Sequence, residues 1–427
     1  MDHNSFSNRT FVLFDRAVLN RLLPPPGTAR ILTLATLVNT LGNGAYLTCS
    51  VLFLTRSVGL TPVQLGVGLG VAAVLGTLLS APLGYVADRV GPKGMQIGAL
   101  LVLAVVYSGM VLVNGFWSFV VLACVIAVGE AAGKGSSGAM IAGAVPPAQR
   151  IELRAFVRSV NNGGIALGAL LGGIPLLLDT RAAYVAMLLG NAGTFLVAAL
   201  ILSRADRVPV LPVPADGPRL VALRDRPFLV FTVIDGVMAS TYNEILSIGL
   251  PLWLATQRHA PLWLVTAALL VNTLGCVTLQ VWASRGVDGI RDAGRIGRRG
   301  ALVVGASCVL YGLTAGLPVW AVCALVLVAG AVHVLGELWL STATFSVVFG
   351  LAPDWAQGQY QGTYTMGRQI GNMVTPPALA LLVTAGGTAG WVAMGAAFAV
   401  AGVVYPAVVR WGRRTRPGVT AEDLATV

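Results

Sequence analysis

Two glutamates stand inside long apolar stretches in matched settings. Gly129-Glu130 is followed after twelve residues by Gly143-x-x-Pro146, and Gly336-Glu337 after twelve residues by Gly350-x-x-Pro353. A carboxylate at membrane depth is costly, so such residues face a cavity or a partner and mark paths for ions and substrates. The chemistry open to them is reversible protonation, because a carboxylate shielded from water can take a proton on one side and release it on the other. The pair is 207 positions apart in a 427-residue chain, so the second half reads as a repeat of the first. Duplicated halves with polar sites near the midplane are the build of secondary transporters.

The neighbours distinguish the two glutamates. Glu337 has His333 one turn before it and Ser341 and Thr344 after it, a polar stripe on an apolar helix. The stripe implies a cavity-facing carboxylate, or else a buried structural pair with His333. Glu130 has Lys134 at i+4, close enough to neutralise it, and Arg158 as a second possible partner. This asymmetry points to Glu337 as the proton carrier.

Further polar groups interrupt apolar sequence. Asp235 occupies the position whose first-half counterpart is Asn39, which can form hydrogen bonds but not titrate. Glu244, nine residues on, falls on the opposite side of a regular helix. Both acids line one cavity only if the 236–240 stretch is distorted; otherwise Glu244 makes an interhelix bond near the outer side. Arg368 reads as a cavity charge or as the partner of an acid. Tyr46, Tyr242 and Tyr364 suit a cavity for flat organic molecules, and Trp117, Trp320, Trp391 and Trp411, near span ends, suit the membrane interface.

The elements that must position these residues follow from hydropathy. With 56% hydrophobic and 11% charged residues and a mean hydropathy of +0.80, the chain is an all-α integral membrane protein. Twelve spans are expected, at 30–55, 62–87, 94–113, 116–145, 155–178, 182–203, 228–255, 261–284, 300–316, 318–350, 357–384 and 388–410. If the amino terminus is inside, the inner segments hold 22 of the 28 Lys and Arg and the outer loops only Arg56, Arg181 and Arg258. That bias places both termini in the cytoplasm and accounts for the +11 net charge without nucleic acid. Arginine outnumbers lysine 26 to 2, a hint of a GC-rich bacterial source. The five cysteines lie in apolar runs without metal-ligand spacing, so neither zinc nor disulfides are expected.

Phe11, Phe14, Val18 and Leu22 recur at helical spacing before Pro24-Pro25-Pro26, so residues 1–29 are expected to form an amphipathic cytoplasmic segment. A six-helix bundle over 30–203, a Pro- and charge-rich linker over 204–227, a second bundle over 228–410 and a cytoplasmic tail over 411–427 complete the chain. The repeat extends beyond the glutamates. Thr36-x-x-Asn39 with Tyr46 matches Thr232-x-x-Asp235 with Tyr242, and Gly91-Pro-Lys-Gly94 matches Gly297-Arg-Arg-Gly300.

The segment Gly84-Tyr85-Val86-Ala87-Asp88-Arg89-Val90-Gly91-Pro92-Lys93 resembles the signature between spans 2 and 3 of the major facilitator superfamily, with Pro92 in place of its first basic residue. The resemblance implies twelve helices in two pseudo-symmetric bundles, and an inner gate made by Gly84, Asp88, Arg89, Gly91 and Lys93. Asp88 is the expected latch of the outward-open state. Gly164-x-x-x-Gly168-Ala169-x-x-Gly172-Gly173 resembles the family's antiporter motif with alanine for proline, while the arginine its antiporters carry in span 4 is absent. Gly336-Glu337-Leu338 and its surroundings resemble the drug:proton branch.

The expectation is therefore a monomeric exporter in the cytoplasmic membrane, exchanging protons for a small organic compound, hydrophobic or cationic. The proton gradient supplies the energy and no cofactor or metal is needed. An importer or symporter of a small nutrient is the alternative. A membrane enzyme or receptor is a remote one, because no HExxH, Gly-x-Ser-x-Gly or phosphate-binding loop is present.

Overall fold

Apolar residues run continuously for the length of a bilayer crossing, and helices satisfy their own backbone there. The computed structural model describes residues 24, 26–212, 219–257, 260–287 and 289–416; the expected amphipathic segment falls almost wholly outside them. Among the described residues the elements are helical. In the first half they are α1 (Thr28–Leu52), α2 (Pro62–Val90), α3 (Pro92–Gly109), α4 (Phe116–Ala144), α5 (Arg150–Leu178) and α6 (Arg181–Ser203). In the second they are α7 (Arg226–Glu244), α8 (Trp263–Ser284), α9 (Gly289–Gly312) and α10 (Val319–Leu351). They end in a Gln357–Arg414 run broken at Gly387, where φ is 52°. The break divides that run into α11 (357–386) and α12 (388–414).

Local chemistry sets the boundaries. Thr61 and Gln64 form a reciprocal capping box ahead of Pro62, which opens α2. Gly91, at φ 102°, ends α2 in a conformation that side chains rarely adopt, and Pro92 starts α3 at once. Two helices continue through π turns: α1 into Phe53–Ser57, and α7 through Ile245–Gly249 into a further helix, Leu250–Thr256. Two boundaries differ from the sequence expectation. Helix α5 begins at Arg150 and α9 at Gly289, because charged residues extend both helices beyond their apolar stretches.

Nine helical stretches among the described residues are long and apolar enough to cross a membrane, the Asp354–Arg414 stretch containing both α11 and α12. Helix α7 is shortened by its π turn, and α9 carries four arginines in its first half. The halves repeat in three dimensions. Gly129 of α4 abuts Leu103 of α3, and Gly336 of α10 abuts Val304 of α9. Gly164, Gly168 and Gly172 of α5 lie against α1, while Gly367 and Gly371 of α11 lie against α7. Between lipid-solvated helices there is little hydrophobic drive to associate, so small residues that let backbones approach supply the packing. Large apolar residues such as Leu170 and Leu177 point outward, at 75% and 88% exposure.

The bundles meet along α2 and α11, α4 and α11, and α5 and α8. Of the expected interfacial tryptophans, Trp391 is the exception: it is fully buried against Trp253 and Tyr311, because the Gly387 break sets α12 turning back toward the bundle core.

Candidate functional site

The charged residues fall into groups at the seam between the bundles, inside each bundle and at the two ends. At the centre of the seam Arg158 of α5 donates from Nη2 to Glu337 Oε1 at 2.5 Å, joining the halves. Asn272 of α8 donates to the other oxygen at 2.7 Å, and Cys276 Sγ lies 3.6 Å from Oε1. Ser159 fastens α5 to α8 by donating to the carbonyls of Cys276 and Val277, both at 2.8 Å. Glu337 is 3% exposed, so this carboxylate is a buried, fully partnered group.

The neighbourhood expected for Glu337 needs correction. Its cationic partner is Arg158, not His333. The His333 ring is turned away, with Nε2 3.0 Å from the Tyr242 carbonyl and Nδ1 3.3 Å from Ser307 Oγ. Arg158 is likewise not the partner of Glu130. Because α5 crosses α8 and α10 at this level, Arg158 reaches the opposite bundle, a contact between residues 179 positions apart.

The second group lies inside the second bundle. Asp235 Oδ1 accepts from Thr344 at 2.8 Å and Tyr405 at 3.3 Å, and Oδ2 accepts from Tyr364 at 2.9 Å. Four helices thus converge on one carboxylate that is 2% exposed. Arg368 of α11 lies within electrostatic range of Asp235, Tyr242 and Tyr364. Tyr242 itself is buried, at 4% exposure. The distortion of α7 falls at 245–249 instead of 236–240; Gly236 remains helical and packs on the Gly367 carbonyl of α11. Glu244 therefore stays apart from Asp235 and accepts from Ser247 at 2.7 Å.

In the first bundle, Lys134 Nζ is 3.1 Å from Glu130 Oε2, with both side chains partly exposed. The Tyr107 hydroxyl is 3.5 Å from the other oxygen of Glu130, and Tyr46 meets the Tyr107 ring edge-on at 4.9 Å. Asn39 accepts from Asn43 at 3.3 Å and leaves its own amide nitrogen without a hydrogen-bond partner among the described residues.

The fourth group closes the end of the seam that the linker crosses. Asp88 accepts from the backbone N–H groups of Gly358 at 2.6 Å and Gln359 at 2.9 Å, a carboxylate set on the first turn of α11 where the helix dipole favours it. A side chain at Gly84 would strike the Gly358 carbonyl. Arg150 bonds Asp354 at 2.8 Å, and Arg285 lies 3.7 Å from Glu152. Arg89 turns away over the Tyr85 ring at 4.4 Å, and Lys93 holds the carbonyls of Ser203 and Ala205 at 2.8 and 2.5 Å. The linker then crosses this end, where Val208 seats against Gly143 beside a 150 Å³ cavity that Asp88, Arg150, Asp354 and Trp355 help to line.

At the opposite end, Asp179 accepts from Tyr184 and Arg56, both at 2.7 Å. The Tyr184 hydroxyl, followed by the Arg56 guanidinium, holds its carboxyl below the usual carboxylate range. In the antiporter-like motif, Gly164, Gly168 and Gly172 face α1, whereas Gly173 faces open space.

Sequence reasoning left out Asn272, Arg154, Arg150, Asp354, Tyr405 and Tyr107, and named Thr344 as part of the Glu337 stripe, whereas it bonds Asp235. Two of those left out had a readable signal: Arg154 stands one helical turn before Arg158, and Asn272 is a polar residue within an apolar span. The others act through tertiary contacts that no sequence spacing announces.

The profile of the Major Facilitator Superfamily matches residues 32–336. The chain belongs to this family of membrane transporters for small molecules. Three solved structures share the fold. The human organic anion transporter MFSD10 aligns at 17% identity and a TM-score of 0.65, over 90% of this chain and all of that one. The proton:xylose symporter XylE aligns at 14% and 0.68, over 93% and 98%. A bacterial homologue of the iron transporter ferroportin, in an outward-facing state, aligns at 14% and 0.69, over 91% and 100%. No curated protein matches the sequence.

Proposed function

We propose that this chain is a proton-coupled secondary transporter that moves a small organic solute by alternating access, with Glu337 as the proton site and Arg158 as its counter-ion. The observation that carries the reading is the 2.5 Å bond between them, which spans the two bundles at a buried point. A proton on Glu337 removes the charge that holds Arg158 and loosens the seam at its centre. Asp88 and the Arg150–Asp354 pair lock the end that carries the linker, which supports reading this conformation as the outward-facing one. In this state proton and solute enter from outside.

The expected exporter mechanism has substrate and proton compete for a bare carboxylate. The Arg158 bond favours the second reading, symport, because the group left for a solute to compete over is the guanidinium. The reading is tested in vesicles reconstituted with the pure protein, under an imposed pH gradient, with a panel of dyes, antibiotics, sugars and carboxylates. Wild type should accumulate or expel at least one of them only when the gradient is present, and Glu337→Gln should lose the dependence on the gradient. Solute movement equal in both proteins with and without a gradient would contradict the assignment.

A further inference from the structure

The charges at the seam are unequal in what they can still bind. Glu337 and Asp235 are 3% and 2% exposed, and all four of their carboxylate oxygens already accept hydrogen bonds. Neither offers a free negative charge to a cation. Glu130 is more open, but Lys134 sits 3.1 Å away.

The guanidiniums are in the opposite position. Arg154 and Arg158 succeed one another by one turn on α5, and Arg368 stands on α11. Arg158 is in electrostatic range of both others, and all three are in range of the Tyr364 phenol. A guanidinium carries five N–H donors. Among the described residues the one hydrogen bond of the Arg158 side chain goes to Glu337, and the Arg154 guanidinium lies 5.7 Å from the Phe345 ring. The Arg368 side chain makes no hydrogen bond or ion pair with any described residue. Like charges gathered in a low-dielectric setting repel, and three of them with spare donors make a receptor for a planar anion, which arginine binds in bidentate fashion.

We propose that the solute is a small organic anion of the carboxylate class, held between Arg368 and Arg158, and that it binds together with a proton. This rests on the transport reading only for its consequence, the direction of coupling; the binding site itself stands on the side chains. The groups that face Glu337 are Arg158 from α5, Asn272 and Cys276 from α8, Tyr242 from α7 and, on its own helix, His333. Helix α9 faces this turn of α10 with Gly300 and Val304. Among these groups Arg158 alone is bonded to Glu337 as a cation. A carboxylate that takes over Arg158 leaves Glu337 an uncompensated buried charge, which neutralises by taking up a proton from the open outer side. Anion and proton therefore reinforce one another, each raising the other's affinity by the same factor. They travel in the same direction, whereas the cation–proton exchange expected from sequence requires them to exclude each other.

The test is binding to the purified protein in detergent, which needs no gradient and no flux. The probes are matched carboxylate, amide and amine trios on naphthyl, phenyl and hexyl groups, with melting temperature as the first readout. In lightly buffered solution containing a pH indicator, the proton change on binding is the second. At least one carboxylate should raise the melting temperature above its amide and amine, and its binding should take up close to one proton. Lowering the pH by one unit should tighten it up to tenfold. Arg368→Gln should weaken binding at least tenfold, with Arg368→Lys recovering part. Glu337→Gln should bind the anion without proton uptake. Arg158→Gln leaves Glu337 unpaired and can fail to fold, so Arg368→Gln, with its unliganded melting temperature as control, is the deciding variant. Preference for amines, no carboxylate preferred over its amide, or proton release on binding would overturn the proposal. Anion binding with proton uptake in a protein that moves nothing across vesicles would instead sink the transport reading and leave the site intact.

Discussion

Arg158 and Glu337, 179 positions apart and in opposite halves of the chain, are joined by a 2.5 Å hydrogen bond at the centre of the seam between the bundles. The carboxylate is nearly sealed while the guanidinium keeps 18% of its side-chain surface, so the pair has a protected side and an approachable one. Stability, and the gating and coupling proposed above, rest on that arrangement.

Removing one member of a buried pair strands the other charge and costs about 3–5 kcal/mol, whereas replacing both with apolar residues of similar volume can be neutral. Arg158→Met and Glu337→Met should each lower stability by that order, and the double variant should recover most of the loss. Denaturant unfolding in detergent of the four proteins measures it. Additive losses in the double variant would show that the pair carries no mutual stabilisation.

Asp88 ties the inner ends through two charge-assisted hydrogen bonds, each worth about 1.5–3 kcal/mol. Asp88→Asn keeps the shape and removes the charge, so it should raise the inward-open population roughly tenfold or more. A cysteine placed at Ala139, on the inner cavity, in a background without the native cysteines, should be alkylated correspondingly faster from the inner side. An unchanged rate would mean that the Gly84–Gly358 packing alone closes this end.

The glycine motif of α5 separates packing from propensity. Gly168→Ala drives a methyl into the Leu41 carbonyl of α1, while Gly173→Ala meets nothing within 4 Å. The first should lose about 1–3 kcal/mol. The second should be neutral or gain up to about 1 kcal/mol from helix propensity. Thermal unfolding of the two variants side by side measures the difference.

Asp179 provides a pH signature at the outer end. Its carboxyl is held below the usual range, so its contribution is present above the unfolded pKa, about 3.9. It is lost as pH falls through the lower, folded value. Asn tolerates the left-handed backbone of this position, φ 44°, so Asp179→Asn isolates the charge. The stability difference between wild type and Asp179→Asn should be constant from pH 7 to about 5 and shrink in more acidic solution. A difference that grows on acidification would contradict the assignment.

The architecture was legible because it is local. Hydropathy and the setting of each Gly-Glu copy depend on residues close in sequence. The glycines at 129 and 336 repeat the same helix contact in both halves. The site was only half legible for the opposite reason. Spacing placed Lys134 beside Glu130, and the structure puts them 3.1 Å apart. Spacing also nominated His333 as the neighbour of Glu337, because i, i+4 pairs are the ones that sequence reveals. The partner that forms the bond comes from another bundle, and its approach depends on how α5 crosses α8 and α10. The distortion of α7 is expected around Gly236 and occurs at Ile245–Gly249, directly ahead of Pro251, whose ring removes a backbone hydrogen bond to this turn.

The central claim is that Glu337 carries the proton and that Arg158 links it to the solute. The most direct measurement is luminal pH in vesicles holding the reconstituted protein and a trapped pH dye, after external addition of a carboxylate that binds, with protein-free vesicles subtracted. Wild type should acidify its lumen in proportion to solute entry, and Glu337→Gln should admit solute without acidification or admit none. Luminal alkalinisation in wild type, or equal acidification in Glu337→Gln, would contradict the account.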